Sequence, residues 1–369
     1  MSSIYLCTPG PTRIPDRIRD VMAKPMIHHR SPEFEKVFSE VRMGINTLLN
    51  NDGETMLLSS SGSGGMEASV ASLLSPSDHV IVIESGKFGE RWVELAKRYQ
   101  LSADVIKVPW GKAVEVSEIQ ELLTPNTKAV LTQACETSTG VFHPISEIGA
   151  LLQTMPDCLF IVDAITALGI HLIDMQKDGI DVVIGGSQKA LMCPPGVATV
   201  SLRQKAIARL KESQTMYLSL LKEIKSQRKN TSSFTPAVSI IMGLSEALKM
   251  IFEEGVAKVY QRHQQLSAHT RHVFSSLGLP IFTEEKDAAF GITVVGDDLS
   301  WDVDGWISSL KKEYGLWIAG GQEHLKGKIF RYAHMGYVDQ SFVDETLSII
   351  VKSLQKHIQT PSYEEIIRR

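Results

Sequence analysis

A short glycine-rich segment, Ser61-Gly62-Ser63-Gly64-Gly65-Met66-Glu67, follows a predicted strand and opens a predicted helix. Small residues at such a place let backbone N–H groups approach an anion, and the helix N-terminus favours negative charge. The segment therefore predicts a phosphate-binding loop, with a plain glycine-rich turn as an equal alternative. A dinucleotide loop fits less well, because Glu67 stands where the third glycine of GxGxxG would be.

Two ionisable residues further along the chain also follow predicted strands. Asp163 comes directly after Leu159-Phe-Ile-Val162, and ligands bind at the carboxyl ends of strands in an open α/β sheet. A carboxylate there can equally cap the next segment. Lys189 lies in Gly185-Gly-Ser-Gln-Lys-Ala190, between apolar stretches. Strand-end lysines are usually solvated, but a partly desolvated amine has a lowered pKa and can attack a carbonyl carbon.

The order of these three features is the one that a pyridoxal phosphate site requires. The loop would bind the phosphate, Asp163 would pair with the pyridinium nitrogen, and Lys189 would form the Schiff base. The sequence therefore predicts pyridoxal 5′-phosphate as cofactor.

Apolar patterning predicts strands alternating with amphipathic helices over the first two-thirds of the chain, and so a mostly parallel sheet covered by helices on both faces. The predicted strands are 55–59, 79–83, 103–108, 128–132, 159–162, 181–184, 197–202, 291–295 and 328–332. The predicted helices are 33–49, 65–74, 90–99, 116–123, 145–152, 239–253, 256–277 and 341–357.

The change of pattern near residue 255 predicts two domains and an arm. We expect an N-terminal arm over residues 1–20, a large α/β domain over 21–255 and a small C-terminal α+β domain over 256–369. The chain length of 369 residues is compatible with this division.

Composition excludes several classes of protein. Hydrophobic residues make 43% of the chain and charged residues 22%, which argues against disorder. With 38 Lys and Arg against 42 Asp and Glu, the net charge of −4 favours neither nucleic acid nor an acidic membrane surface. No apolar run approaches the ~20 residues of a membrane helix, and the N-terminus lacks the pattern of a secretory signal.

The four cysteines are far apart and form no CxxC pair; they are Cys7, Cys135, Cys158 and Cys193. We expect reduced thiols, a cytoplasmic location and no disulfide framework. Histidines and cysteines lack zinc-ligand spacing, so we expect no metal site.

As an ordered set, several motifs resemble the class V aminotransferases of fold type I, nearest to the alanine–glyoxylate and serine–glyoxylate (serine–pyruvate) aminotransferases. The resemblance covers nearly the whole chain. The motifs are Thr8-Pro-Gly-Pro-Thr12, Ser61-Gly-Ser-Gly64, Gly86-Lys-Phe-Gly-Glu-Arg91, Glu136-Thr-Ser-Thr-Gly140, Val162-Asp163, Gly186-Ser-Gln-Lys-Ala-Leu191, Thr235-Pro-Ala-Val238 and Phe330-Arg-Tyr-Ala-His-Met-Gly336. The fold that it implies is a large domain with a mostly parallel seven-stranded sheet between helices, plus a small α+β domain.

The resemblance also implies roles for individual residues. Lys189 would be the Schiff-base lysine and the acid/base that moves a proton between the amino acid Cα and the cofactor, and Asp163 would be the pyridinium partner. The remaining cofactor contacts would come from Ser63, Gly64, Gly65 and Gln188 at the phosphate, Phe88 on the ring face, Thr137 at the ring hydroxyl and Thr235 at the phosphate of the neighbouring subunit.

Substrate contacts follow from the same resemblance. Arg331 would clamp the α-carboxylate, and Pro9 and Gly10 would line the entrance through backbone groups. Taken alone, Arg331 could also be a surface ion pair, and Phe88 could be a core aromatic residue. Because Thr235 would serve the neighbouring site, the functional unit would be a homodimer with sites at its interface.

The function so predicted is transamination between alanine or serine and a 2-oxo acid such as glyoxylate or pyruvate, with ping-pong kinetics. Alternatives within the same class are an aminoethylphosphonate transaminase, a lyase or a cysteine desulfurase. An NAD-dependent oxidoreductase would leave Asp163 and Lys189 unexplained. A non-catalytic subunit that retains the fold is the alternative of a different kind, since relatives of this family have carried a soluble hydrogenase subunit label.

Overall fold

The predicted pattern of strands and helices is realised in a computed structural model, which describes residues 4–213, 215–297 and 299–368. In chain order the strands are β1 (Tyr5–Leu6), β2 (Glu54–Leu58), β3 (His79–Glu84), β4 (Ser102–Lys107), β5 (Thr127–Gln133), β6 (Cys135–Glu136), β7 (Val141–Phe142), β8 (Leu159–Asp163), β9 (Val182–Gly186), β10 (Ala198–Leu202), β11 (Ile292–Val295), β12 (Leu316–Trp317), β13 (Ala319–Gly320) and β14 (Phe330–Ala333). The helices are α1 (Asp16–Met22), α2 (Pro32–Leu48), α3 (Gly62–Leu73), α4 (Lys87–Arg98), α5 (Val116–Leu122), α6 (Ile145–Leu152), α7 (Gln204–Ile207), α8 (Leu220–Gln227), α9 (Val238–Glu254), α10 (Val256–Ser276), α11 (Val303–Tyr314), α12 (Gln340–Leu354) and α13 (Tyr363–Ile367).

A seven-stranded sheet in the order β2-β10-β9-β8-β5-β3-β4 forms the centre of the fold. β10 is antiparallel to both of its neighbours, and the other six strands share one direction. The predicted mostly parallel sheet is therefore confirmed.

Both faces of this sheet are buried, which explains the continuous apolar runs of its strands. In β3, Ile81 and Ile83 belong to a hydrophobic cluster that also includes α2, α6 and α9. Val80 and Val82, on the opposite face, belong to a cluster with α3, α4 and α8. Alternation along each strand thus supplies two separate cores.

The strand direction brings the chemistry-bearing segments to one edge. The carboxyl end of β2 leads into α3, that of β3 into α4, that of β8 ends at Asp163 and that of β9 leads to Lys189. Because these strands run in parallel, all four ends meet at the same side of the sheet.

The C-terminal third of the chain forms a second, smaller sheet with its own hydrophobic cluster. β11, β14 and β13 make an antiparallel sheet that shares a hydrophobic cluster with α10, α11, α12 and α13. The N-terminal strand β1 joins this part by pairing in parallel with β12. No helix of the described residues is long and apolar enough to cross a membrane.

Gly255, with φ +92°, separates α9, which packs on α1 and α2, from α10, which packs on β11 and α12. We propose on this basis that the large domain ends at residue 255, as the sequence predicts. Residues 1–3, 214, 298 and 369 of the predicted arm and domains lie outside the described residues.

Candidate active site

The N-terminus of α3 is open at the carboxyl edge of the sheet. Ser61 precedes the helix in extended conformation and its side chain makes no capping hydrogen bond. Arg91 of α4 donates from Nη1 to Ser63 Oγ across 3.0 Å. An uncapped helix N-terminus beside a guanidinium suits a phosphate dianion.

Gly65 is buried where α3 lies on the sheet. A Cβ at this position would be 2.9 Å from Ile184 Cγ2 and 3.2 Å from Val200 Cγ2. Since those atoms belong to β9 and β10, a larger residue would lift the helix off the sheet. The glycine-rich segment therefore provides close packing as well as access for an anion.

Asp163 is 4% exposed at the end of β8. Its Oδ1 accepts a hydrogen bond from the backbone N–H of Ile165 across 2.8 Å, so the capping interpretation is also realised. Burial raises the pKa of this carboxyl to about 6, and the Ile165 bond, Arg91 and Lys189 oppose that rise. A cationic partner would stabilise the ionised form of such a buried carboxyl.

Lys189 is buried in the turn after β9, and its Nζ donates to the backbone oxygen of Pro9. Burial lowers the pKa of the amine to about 8, while Cys135 and Asp163 act in the opposite direction. Near pH 8 a large fraction of this amine is thus neutral and nucleophilic, which an exposed lysine is not.

The N-terminal arm packs directly on the turn that carries Lys189. Thr12 donates from Oγ1 to the backbone oxygen of Lys189 across 2.8 Å, and its N–H donates to Gln188 O across 3.2 Å. Gly10 has φ +122°, and a Cβ there would lie 2.7 Å from Lys189 Nζ. Glycine is required at this position both by its backbone conformation and by the approach of the amine.

Gln188, next to the lysine, has hydrogen-bonding capacity that the described residues do not use. Its Oε1 is buried and has no hydrogen-bond partner among them. Buried polar atoms are almost always paired, so this amide has capacity to bond a ligand group.

Arg331 of β14 is buried, 8% exposed, and is not a surface ion pair. Its Nε donates to Gly320 O across 2.8 Å, and Nη1 donates to Thr137 O across 3.1 Å and to Gln322 Oε1 across 3.3 Å. Burial lowers its pKa to about 10, against the opposing charge of Glu136. The guanidinium remains charged at neutral pH, and such a group can bind a carboxylate.

Lys189 and Arg331 both line one cavity of about 500 Å³. Six of the residues that line it were predicted from the sequence: Pro9, Gly10, Phe88, Thr137, Lys189 and Arg331. The others are Leu6, Thr8, Pro11, Trp317, Ala319 and Gln322. Phe88 is partly exposed here rather than enclosed in the core.

The remaining predicted residues lie outside this lining. Ser63, Gly64 and Gly65 stand at the start of α3, and Asp163 and Gln188 lie at the ends of neighbouring strands. Thr235 precedes α9 and is exposed.

A sequence model of the family described as "Aminotransferase class-V" matches residues 4–325. The chain belongs to this family. It is therefore an enzyme of the aminotransferase class, and its fold is that of the fold type I aminotransferases. Its cofactor is pyridoxal phosphate.

Individual relatives of this class-V aminotransferase carry different names. A "Soluble hydrogenase, small subunit" of Synechococcus sp. (strain PCC 6716) is 38% identical over 90% of this chain and 88% of that protein. The L-aspartate–glyoxylate aminotransferase of Paracoccus denitrificans is 28% identical over 89% and 85%. The solved aspartate aminotransferase of subgroup IV from Thermus thermophilus has a TM-score of 0.91 and 28% identity, covering 96% of this chain and 100% of that one.

The described residues fit the cofactor of a class-V aminotransferase. The uncapped N-terminus of α3 with Arg91 suits a phosphate, the Gln188 amide has an unused acceptor, and Asp163 is a buried carboxyl that makes no ion pair among the described residues.

Sequence reasoning missed several residues at this site. Arg91 follows Phe88 by three positions on the same helix, so the spacing alone places the two side chains together; the guanidinium carbon lies 5.0 Å from the Phe88 ring centroid. Trp317 lines the cavity through the pairing of β12 with β1, for which the sequence has no local signal.

Proposed function

We propose that this class-V aminotransferase transfers the amino group of a small amino acid, alanine or serine, to a 2-oxo acid such as glyoxylate or pyruvate. The observation that carries the proposal is a buried Lys189 amine, with its pKa lowered to about 8, in one cavity with the buried Arg331 guanidinium. The first group suits carbonyl attack and proton transfer, and the second suits binding of an α-carboxylate.

Lys189 would hold the cofactor covalently and, once released by the donor, take the proton from the donor's Cα. When bound, pyridoxal phosphate supplies an electron sink for the charge that develops at that carbon. Pro9 O, which accepts from Nζ, would orient the amine, and Gly10 would leave room for it. Asp163 would hold a proton on the ring nitrogen as its ionised partner.

The other predicted residues would bind and orient. Ser63, Gly64, Gly65 and Gln188 would hold the phosphate, Phe88 would cover one ring face and Thr137 would bond the ring hydroxyl. Thr235 would contact the phosphate of the other subunit in a homodimer, which its exposure outside this cavity permits.

The choice of a small donor rests on charge. Of the described residues that line the cavity, Lys189 and Arg331 are the basic ones, and both already have roles. A dicarboxylic donor would bring a second carboxylate without a further basic partner among the described lining residues. Aspartate is nevertheless the competing donor to test, because relatives are named for it.

We also propose a cytoplasmic location. Cys7, Cys135, Cys158 and Cys193 are free, buried thiols, as is usual for proteins of a reducing compartment.

The absorbance spectrum of the purified protein tests this proposal. With L-alanine or L-serine we expect the visible cofactor band to give way to that of pyridoxamine phosphate, and glyoxylate should restore it. L-aspartate should act more weakly. A band that responds to L-aspartate alone would overturn the donor, and a protein that binds no pyridoxal phosphate would overturn the function. The matched control is Lys189→Ala, which should not turn over.

A further inference from the structure

Glu136 is a fully buried carboxylate that directly precedes Thr137, one of the residues lining the cavity. Its Oε2 accepts from the backbone N–H groups of Phe88 and Gly89, each across 3.0 Å. Its Oε1 accepts from the N–H of Ser138 across 3.2 Å and from Ser138 Oγ across 2.5 Å. Burial raises the pKa of this carboxyl, and the four partners oppose that rise, because all of them donate and so stabilise the ionised form.

This carboxylate caps α4 from outside the helix. The Phe88 and Gly89 N–H groups belong to the first turn of α4, where backbone donors lack intrahelical partners. Lys87 N–H adds a hydrogen bond to Ser138 Oγ across 3.2 Å. The start of α4, and with it the Phe88 ring in the cavity, is thereby fixed on residues 136–138.

The same short segment holds Arg331. The guanidinium donates to the backbone oxygen of Thr137, the residue after Glu136, while its other hydrogen-bond partners, Gly320 O and Gln322 Oε1, are also uncharged. Glu136 supplies the opposing negative charge for this buried cation. A buried guanidinium without a counter-charge is costly, and the segment that binds it through Thr137 O also carries this carboxylate.

We propose that Glu136 is a positioning residue that holds the carboxylate clamp Arg331 and the ring of Phe88 in one arrangement. The proposal rests on the proposed function, in which Arg331 binds the donor carboxylate and Phe88 covers the cofactor ring. Glu136 is not among the described residues that line the cavity, and it would act through these two side chains.

The test compares Glu136→Gln with the wild type as holoenzymes. The substitution keeps the size of the side chain but removes its charge. Some of the N–H groups of Phe88, Gly89 and Ser138 would then face an amide NH₂, which cannot accept a hydrogen bond. We expect KM for L-alanine or L-serine to rise about tenfold, kcat to fall by less, and the competitive inhibition constant of propionate to rise with KM. The visible circular dichroism of the bound cofactor should also change, because Phe88 is displaced.

A double-mutant cycle separates this role from a general loss of structure. In an Arg331→Gln background, Glu136→Gln should raise KM less than about twofold, because the clamp is already gone. If the two effects on KM multiply, Glu136 does not act through Arg331 and the proposal is wrong.

Asp181→Asn is the matched control. Asp181 is also a buried carboxylate that accepts from a backbone N–H, that of Phe160 across 2.9 Å, but it lies away from the cavity and pairs with Lys205. We expect it to lower the melting temperature without changing KM or the circular dichroism.

Should Glu136→Gln fail to fold, Ser138→Ala removes one hydrogen bond from Oε1 and keeps the charge. Because it also removes the acceptor of the Lys87 N–H, it should raise KM by about threefold and change the circular dichroism in the same sense. Unchanged KM and spectra in both variants, in an enzyme whose wild type transaminates, would overturn the positioning role alone. A wild type without transamination would instead overturn the proposed function.

Discussion

At the scale of single residues, burial gives the candidate site its reactivity. Lys189 and Arg331 are both buried basic side chains, and burial lowers the pKa of each, to about 8 and about 10. The same effect raises the pKa of Asp163 to about 6. A ligand group of opposite charge would therefore stabilise the charged form of each of these side chains.

Removal of the lysine amine should abolish turnover. Lys189→Ala deletes the nucleophile and the proton-transfer group together, so steady-state transamination by the pure variant should be undetectable. A coupled assay of 2-oxo acid formation measures this. Appreciable turnover would show that another group carries the chemistry.

Asp163→Asn should keep the cofactor and lose most activity. Asparagine can still accept the Ile165 N–H but cannot stabilise a proton on a ring nitrogen. Each pKa unit lost at that nitrogen corresponds to about 1.4 kcal/mol of protonation free energy. The cofactor content, measured by absorbance, should therefore stay unchanged while kcat falls. Unchanged kinetics would rule out the pyridinium role.

At the scale of elements, the site depends on how closely α3 lies on the central sheet. Gly65 occupies the contact between α3 and strands β9 and β10, and Arg91 of α4 reaches the start of α3. The proposed phosphate region is thus built from two helix starts and two strands rather than from one loop.

Gly65→Ala should therefore weaken cofactor binding by moving the start of α3. Overpacking against Ile184 should also lower the unfolding free energy by about 1–3 kcal/mol. Cofactor affinity is measured by titration of the cofactor-free protein, and stability by urea unfolding. Gly243→Ala in α9, where a Cβ would meet the flexible Met22 side chain at 3.0 Å, is the control. If both variants bound the cofactor equally well, the packing argument would be refuted.

The predicted element boundaries agree closely with the observed ones where apolar periodicity is strong. The helix predicted at 33–49 is Pro32–Leu48, and 145–152 is reproduced without change. α11 was overlooked although its signals are present: Asp302 caps it by accepting from the Gly305 N–H, and Gly315 ends it in the left-handed conformation. The two-residue strands β12 and β13 have no pattern to find.

At the scale of the whole molecule, four buried histidines make stability depend on pH. Burial lowers the pKa of His143, His171, His263 and His334 to about 3 from 6.5. The unfolded chain therefore binds more protons than the folded chain between these values, so stability is lost as pH falls through this window. The raised pKa of Asp163 acts in the opposite sense over a narrower range.

We expect the unfolding free energy to fall markedly between pH 7 and pH 5, by as much as about 2 kcal/mol for each histidine. Urea unfolding at fixed ionic strength, followed by far-ultraviolet circular dichroism, measures it. A free energy that stays constant or rises on acidification would contradict the burial of neutral imidazoles.

The sequence by itself determined the class of fold and the order of the chemical groups. Alternating apolar runs indicate a parallel sheet, and groups at strand ends converge on its carboxyl edge, so the sequence indicated Asp163, Lys189 and the start of α3. These signals are local in the chain, and local patterns survive folding.

Only the tertiary structure decided what surrounds those groups. The contact of Pro9 O with Lys189, the cavity wall at Trp317 and the hold of Glu136 on Phe88 join residues distant in sequence. Burial, and with it the altered pKa values, arises from packing between such segments. No spacing along one chain encodes that packing, because it depends on which surfaces meet.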